Sequence, residues 1–397
     1  MGRIVALGLL LGACAAAPTP PGVAPAEERR PLVIAHRGAS GERPEHTLEA
    51  YRLAIEQGAD FIEIDVVATR DGQLIARHEN ELSQSTDIAA RPRFAARRTT
   101  KRVQGSELSG WFSEDLTLAE IQSLRAIERW PKDRPDSALH DGRHPVASLA
   151  QIIQLLRRTE RESGRLVGLD LEIKQATWFA KEGTHLDGAR IGLSIPRLLV
   201  DTLVAEAFTD PSRIFIQAFE VEPLLELQRD LLPAAGLDLP LLQLLGNLGD
   251  PAEPFNAPYD FRYNARERLE PYGELARCLG APIGSWGYAT LVSTRGLGCM
   301  QRLYAEGIAA RKQNVLLDTQ PGREVAGWVE AARRRGLFVH IWTLRAEERF
   351  RSLRADGGRL SLEDEVQRLL ALGADALITD HPARVVAARD AHLGVAD

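Results

Sequence analysis

Short apolar runs that end in polar residues alternate with stretches of helical period along most of the chain, the signature of repeated β-then-α units. The runs are Leu32 to Ala35, Phe61 to Val66, Val167 to Ile173, Arg213 to Phe219, Pro240 to Leu245, Leu337 to Thr343 and Ala376 to Thr379, with an eighth expected near Glu306 to Ala310. Helices are expected at His46 to Gln57, Leu149 to Arg158, Ile195 to Ala207, Glu222 to Leu231, Arg323 to Arg335 and Leu362 to Leu372. Each parallel crossover needs a dozen or more residues and usually a helix, so the pattern predicts a parallel sheet clothed in helices. Polar residues close the first four runs and the last two. A closed barrel gathers every strand end at one mouth, whereas an open sheet gathers only those at its switch point. The expected fold is therefore α/β, a (β/α)8 TIM barrel with insertions. Asn80 to about Arg143 and Gly246 to about Arg295 exceed ordinary βα connections and read as decorations, a lid or substrate-shaping inserts.

Composition changes this picture little. At 44% apolar and 26% charged over 397 residues, the chain has material for a large core. A net charge of −6 needs no basic face and argues against a nucleic-acid partner. Arg91, Arg93, Arg97, Arg98 and Arg102 are a local exception that reads as a solvated loop. The N-terminus adds more. MGRIVALGLLLGAC has one basic residue and an apolar run from Ile4 to Leu11, too short to span a bilayer, so it reads as a secretory signal. Leu11-Gly12-Ala13-Cys14 resembles a bacterial lipoprotein signal ending at a lipidated cysteine; the alternative is ordinary cleavage near Ala15 to Ala17. The expected organisation is a signal at 1–14, an Ala/Pro/Glu-rich linker at 15–30 and a catalytic domain at 31–397. The protein would be lipid-anchored in the cell envelope and face the periplasm, touching the membrane only through that anchor. Cys278 and Cys299 are available to pair in an oxidising compartment, and the sequence leaves their pairing open.

The second strand carries the first chemistry. Glu63 and Asp65 are two apart, so both carboxylates point to one face, about 7 Å apart along the strand. Two like charges facing inward on a buried strand are costly without a cation. The third strand ends in Asp170, Glu172 and Lys174 at the same period, and one of its acids would complete an all-oxygen site for Ca²⁺ or Mg²⁺. Lys174 would neutralise that site or hold an anionic substrate. A turn at Asp71-Gly72 would return His78 to the mouth where the paired acids end, beside His36 at the end of the first strand. Two imidazoles next to a cation fit acid/base cleavage at a phosphate, one ring taking a proton from the nucleophile and the other giving one to the leaving oxygen. Gly38 would let the backbone turn closely around a bound oxygen.

In this order and spacing, His36-Arg37, Glu63-x-Asp65 and His78 resemble the signature of the glycerophosphodiester phosphodiesterases, metal-dependent (β/α)8 barrels. PEHT at 44–47, STDIA at 85–89, WFSEDLTLAEIQSLRA at 111–126, DLEIK at 170–174, IQAF at 216–219 and LITDHP at 377–382 extend the likeness to the longer, secreted branch. The resemblance implies His36 and His78 as the acid/base pair, and Glu63, Asp65 and Glu172 as ligands of one divalent cation, Ca²⁺ ahead of Mg²⁺. It also implies Arg37 and Lys174 on phosphate oxygens, Glu45 in support, and Trp342 lining the pocket. The substrate would be a glycerophosphodiester such as glycerophosphocholine or glycerophosphoethanolamine, cleaved to glycerol 3-phosphate and an alcohol through a cyclic phosphate. Glu79 stands where Asp is frequent after the second histidine, and GIAARK at 307–312 lacks the Gly-Pro commonly found there. His46, His144 and His381 read as hydrogen-bonded structure, and His340 as structural.

Two other functions compete. A surface lipoprotein that keeps the barrel only to bind would be free to lose some of the two histidines and three acids, and all five are present. A phospholipase acting on intact lipid would want an exposed apolar rim, for which Trp111-Phe112 and Trp286 in the insertions are the candidates.

Overall fold

The computed structural model describes residues 29–248, 255–264, 270–282, 285–316, 327–354 and 356–395. The signal, Cys14, and the linker up to residue 28 lie outside the described residues, as does the start of the helix expected from Arg323.

Eight parallel strands close into a ring. They are β1 (Leu32–Ala35), β2 (Phe61–Ala68), β6 (Gly168–Ile173), β7 (Ile214–Ala218), β8 (Leu241–Leu245), β9 (Gly307–Arg311), β10 (Phe338–Leu344) and β11 (Ala376–Thr379). Each pairs with the next in that order, and β11 pairs with β1 to complete the circle. The short β3 (Leu74–Ala76) runs antiparallel to β2 through the Asp71-Gly72 turn, with Val66 opposite Ala76. A separate hairpin, β4 (Thr99–Val103) with β5 (Ser106–Gly110), belongs to the first insertion. Every expected strand is present, including β9, which forms without a Gly-Pro at its end.

Local chemistry sets the helix starts. Thr47 caps Leu48–Glu56, Ser148 and Gln151 form a capping box on Leu149–Ser163, and Ser361 with Asp364 does the same for Leu362–Ala371. The helices bury apolar faces against the outside of the ring, and a smaller cluster fills its inside: Ile34, Phe61, Phe215, Leu242, Ala376 and Ile378. His340 belongs to that interior, edge-on to Phe215 at 4.7 Å, and burial lowers its pKa to about 3, so it is a neutral packing residue as expected.

Both insertions fold onto the barrel. The three aromatic residues that were candidates for an apolar rim are buried: Trp111 is 8% exposed, Phe112 0% and Trp286 4%. They anchor the insertions inward, Trp111 donating its indole N–H to Phe94 O, because burying such rings is worth more than presenting them to water. Arg93, Arg98 and Arg102 are exposed, in keeping with a solvated segment. Cys278 and Cys299 form a disulfide between the helices Gly273–Leu279 and Thr294–Leu303.

Just beyond β9, Lys312 reaches Glu365 with Nζ 2.8 and 2.7 Å from its two oxygens, both side chains at most 1% exposed. Removing one partner of a buried pair strands the other charge. Lys312→Met is expected to lower unfolding stability by about 3–5 kcal/mol, read as a lower denaturant midpoint; an unchanged midpoint would show that the pair contributes nothing to stability.

Candidate active site

β1 hands over to its loop through two left-handed residues, Arg37 (φ 61°) and Gly38 (φ 86°). Gly38 is required by packing. A Cβ there would lie 2.6 Å from the carbonyl carbon of Ala50, so the glycine serves the close approach of the loop to helix Leu48–Glu56. The turn sends the Arg37 N–H to Glu63 Oε2 (2.8 Å). Its guanidinium spans Glu45 Oε2 (3.1 Å) and Asp65 Oδ2 (3.2 Å). Glu45 thus holds Arg37 in place.

On β2, Glu63 and Asp65 share the inward face, and the β2–β6 register sets Asp65 beside Glu172. One oxygen from each of Glu63, Asp65 and Glu172 can be chosen so that all three lie within 4.8 Å of one another. Asp170, the other acid of β6, is not part of this group. Glu63 Oε1 and Asp65 Oδ1 are buried and accept no hydrogen bond. Burial, then the charge of Asp65, pushes the Glu63 carboxyl well above its usual range. Burial likewise pushes Glu172 up to about 8, against the pull of Lys174. Burial works the same way on Asp65, yet Lys174 and Arg37 hold it low. Lys174 Nζ sits on Glu172 Oε1 and 3.6 Å from Asp65 Oδ1. Three converging carboxylates, two of them with an orphaned oxygen, and one ammonium beside them fit a hard divalent cation.

His36 and His78 reach the same cavity, of about 820 Å³, together with Glu63 and Glu172. In each the Nδ1 is taken by a carboxylate. His36 Nδ1 lies 2.6 Å from Asp380 Oδ1, and His78 Nδ1 lies 2.5 Å from Glu79 Oε1. That pairing orients the ring and leaves Nε2 for proton transfer. Burial, then Arg37, lowers the pKa of His36 to about 3, and burial with Arg37 and Lys174 lowers His78 to about 4, so both are neutral at pH 7 before substrate arrives.

The roles of the residues behind the rings do not follow from strand or helix period. Asp380, at the end of β11, also receives Arg345 Nε (2.7 Å) and Arg134. Arg129, from the first insertion, joins Glu45 Oε1 (2.7 Å) to Glu79 Oε2 (2.6 Å). Asp380 lies inside LITDHP, one of the segments that carry the family likeness, whereas Arg129 is an arginine with no periodic context. Trp342 does line the cavity, edge-on to Phe219 at 5.7 Å. At the insertions' rim, Gln104 in the β4–β5 turn donates to Glu220 Oε1 (2.9 Å) just past β7. His46 is hydrogen-bonded as expected, between Tyr51 Oη (2.7 Å) and Asp65 Oδ2 (2.9 Å), and His381 accepts from Ala346 N. His144 differs. It stacks on His140 at 6.3 Å, and its Nε2 is buried without a hydrogen-bond partner.

Comparison with known proteins gives a consistent result. Residues 36–256 and 288–384 match the glycerophosphoryl diester phosphodiesterase family. A glycerophosphodiester phosphodiesterase of Arabidopsis thaliana is 37% identical over 167 residues, 42% of this chain and 43% of that protein. One from Haemophilus influenzae is 32% identical over 222 residues, 54% of this chain and 56% of that protein. The chain thus spans about half the length of the curated relatives it matches. A solved phosphodiesterase of Oleispira antarctica, in complex with the product sn-glycerol-3-phosphate, superposes with a TM-score of 0.52 over 92% of this chain and 100% of that one. At 17% identity that likeness speaks for the fold.

Proposed function

Since the chain belongs to the glycerophosphoryl diester phosphodiesterase family, we propose that it hydrolyses glycerophosphodiesters such as glycerophosphocholine or glycerophosphoethanolamine to glycerol 3-phosphate and an alcohol. The observation that carries this reading is the pair of carboxylate-backed imidazoles sharing one cavity with Glu63 and Glu172. The product seen in the Oleispira protein belongs to the same chemistry.

The roles follow from the side chains. Arg37 and Lys174 hold the phosphate's charged oxygens through charge-assisted hydrogen bonds. One histidine, neutral, takes the proton of the glycerol 2-hydroxyl as its oxygen attacks phosphorus. The bond from phosphorus to the head-group oxygen breaks, and the other histidine, which takes up a proton from solvent as the phosphate's negative charge settles beside it, gives that proton to the leaving oxygen. Water then opens the cyclic phosphate with the two roles exchanged, leaving glycerol 3-phosphate. Glu63, Asp65 and Glu172 would hold one divalent cation, Ca²⁺ in preference to Mg²⁺, whose chemistry is to polarise a phosphoryl oxygen. The carboxylate-only donor set supports a hard cation.

The reading includes the N-terminus. Residues 1–14 would act as a lipoprotein signal and 15–30 as a tether for the domain from 31 to 397, facing the periplasm; the Leu11-to-Cys14 sequence supports this, and the disulfide suits an oxidising compartment. The test of the activity is release of sn-glycerol 3-phosphate from a panel of glycerophosphodiesters with Ca²⁺ or Mg²⁺ added. Release with at least one diester is expected. No release from any diester with either metal would end the proposal.

A further inference from the structure

The cations on the cavity wall are almost all neutralised from within the protein. Arg37 has Glu45 and Asp65, Arg129 has Glu45 and Glu79, Lys174 has Glu172 and Asp65, and Arg345 has Asp380. Arg311, the last residue of β9, breaks the rule. Among the described residues its side chain has one hydrogen-bond partner, Asn247 Oδ1, and no carboxylate in ion-pair reach. Its guanidinium stands 5.9 Å from the Trp342 ring, to which it is register-paired across β9 and β10. Burial and the neighbouring charge of Arg345 both lower its pKa, and no acid opposes them. Arg262, the other wall cation without an acid, is exposed and bonds Asn256.

Position gives this charge a meaning. In the eight-strand ring β9 is four strands from β2 in either direction, so Arg311 faces the paired acids from across the mouth. A phosphodiester centred on Arg37 and Lys174 would extend one of its two arms toward β9. We infer that Arg311 is a specificity-determining residue that binds an anionic group, a carboxylate or a phosphate, on the far arm of the substrate. The structure thus favours diesters whose head-group alcohol is acidic over neutral or cationic ones. A half-buried guanidinium held by Asn247 and flanked by an indole is pre-organised for a bidentate anion, and an arriving anion compensates a charge that the fold leaves unbalanced. The inference rests on the diesterase reading and names the substrate class within it.

The test compares glycerophosphoglycerol with two acidic analogues, glycerophosphoglycerate and glycerophosphoglycerol bearing a terminal phosphate. Both kcat/KM and calorimetric binding to the full chain are measured, in wild type, Arg311→Gln and Arg311→Lys. The wild type is expected to favour at least one acidic diester by about 10- to 100-fold, with the preference collapsing toward parity in Arg311→Gln and largely kept in Arg311→Lys. Which analogue gains separates carboxylate from phosphate. Equal binding of all three by wild type, or a preference that survives Arg311→Gln, overturns the inference. Selective binding without turnover would overturn the hydrolase reading and leave the Arg311 assignment standing.

Discussion

Chelating the divalent cation is expected to silence hydrolysis, with kcat/KM falling by about 10²–10³ and returning on titration with Ca²⁺. The expectation comes from three acids that the fold forces together. Glu63 and Asp65 cannot separate, because strand alternation fixes them on one face, and the register places Glu172 alongside. Without a cation this arrangement is also a liability for stability. Glu172 titrates at about 8 in the folded chain against an ordinary 4.5. Between those values the folded protein holds a proton that the unfolded chain has released, so stability of the metal-free protein falls as pH rises from 4.5 toward 8. A bound cation takes the proton's place and flattens that slope. Thermal unfolding across this pH range, with and without Ca²⁺, reads the effect directly; melting curves indifferent to Ca²⁺ at pH 8, together with chelator-resistant activity, would remove the cation from the site.

The second large effect is expected from the imidazoles. His36→Ala and His78→Ala should each lower kcat by about 10²–10⁴ while the protein stays folded and binds Ca²⁺. Folding is expected to survive because neither substitution strands a charge. Asp380 keeps Arg134 and Arg345 when His36 is gone, and Glu79 keeps Arg129 when His78 is gone. The double variant should be little worse than the poorer single one, since either loss interrupts the same proton relay. Retention of half the activity in either single variant, with an unchanged melting curve, would exclude that ring from proton transfer.

How much of this was legible beforehand differs between strand and insertion. The eight barrel strands are short, apolar and buried on both faces, so their runs stand out in the chain, as with Phe61–Ala68. The hairpin that returns His78 was legible because Asp71-Gly72 is a turn and the apolar residues resume after it. The pairing of acids on β2 followed from period two alone. The choice between Asp170 and Glu172 needed the family resemblance or the convergence of oxygens in space, since both acids share a parity and the register sets Asp170 beside Glu63 as it sets Glu172 beside Asp65. Asp380 and Arg129 were missed because their partners lie 344 and 50 residues away in sequence, at His36 and Glu79. The packing need for Gly38 was not legible, because its close neighbour is helix backbone at Ala50, a contact set by how the loop folds back. Trp111, Phe112 and Trp286 were legible only as candidates for a lipid rim, and packing shows them turned inward instead.

Arg129 also makes the reaction centre a joint possession of two parts of the chain. The barrel supplies both histidines, yet the charge that fixes Glu79 behind one of them, and that clasps the Glu45 on which Arg37 leans, comes from residues outside the β/α repeat. The first insertion is therefore no interchangeable ornament. A shortened or grafted barrel that exchanged it for a tight turn would inherit every residue of the signature and still forfeit the tension that keeps them aligned, so motif-based transplantation has to carry this distant arginine along.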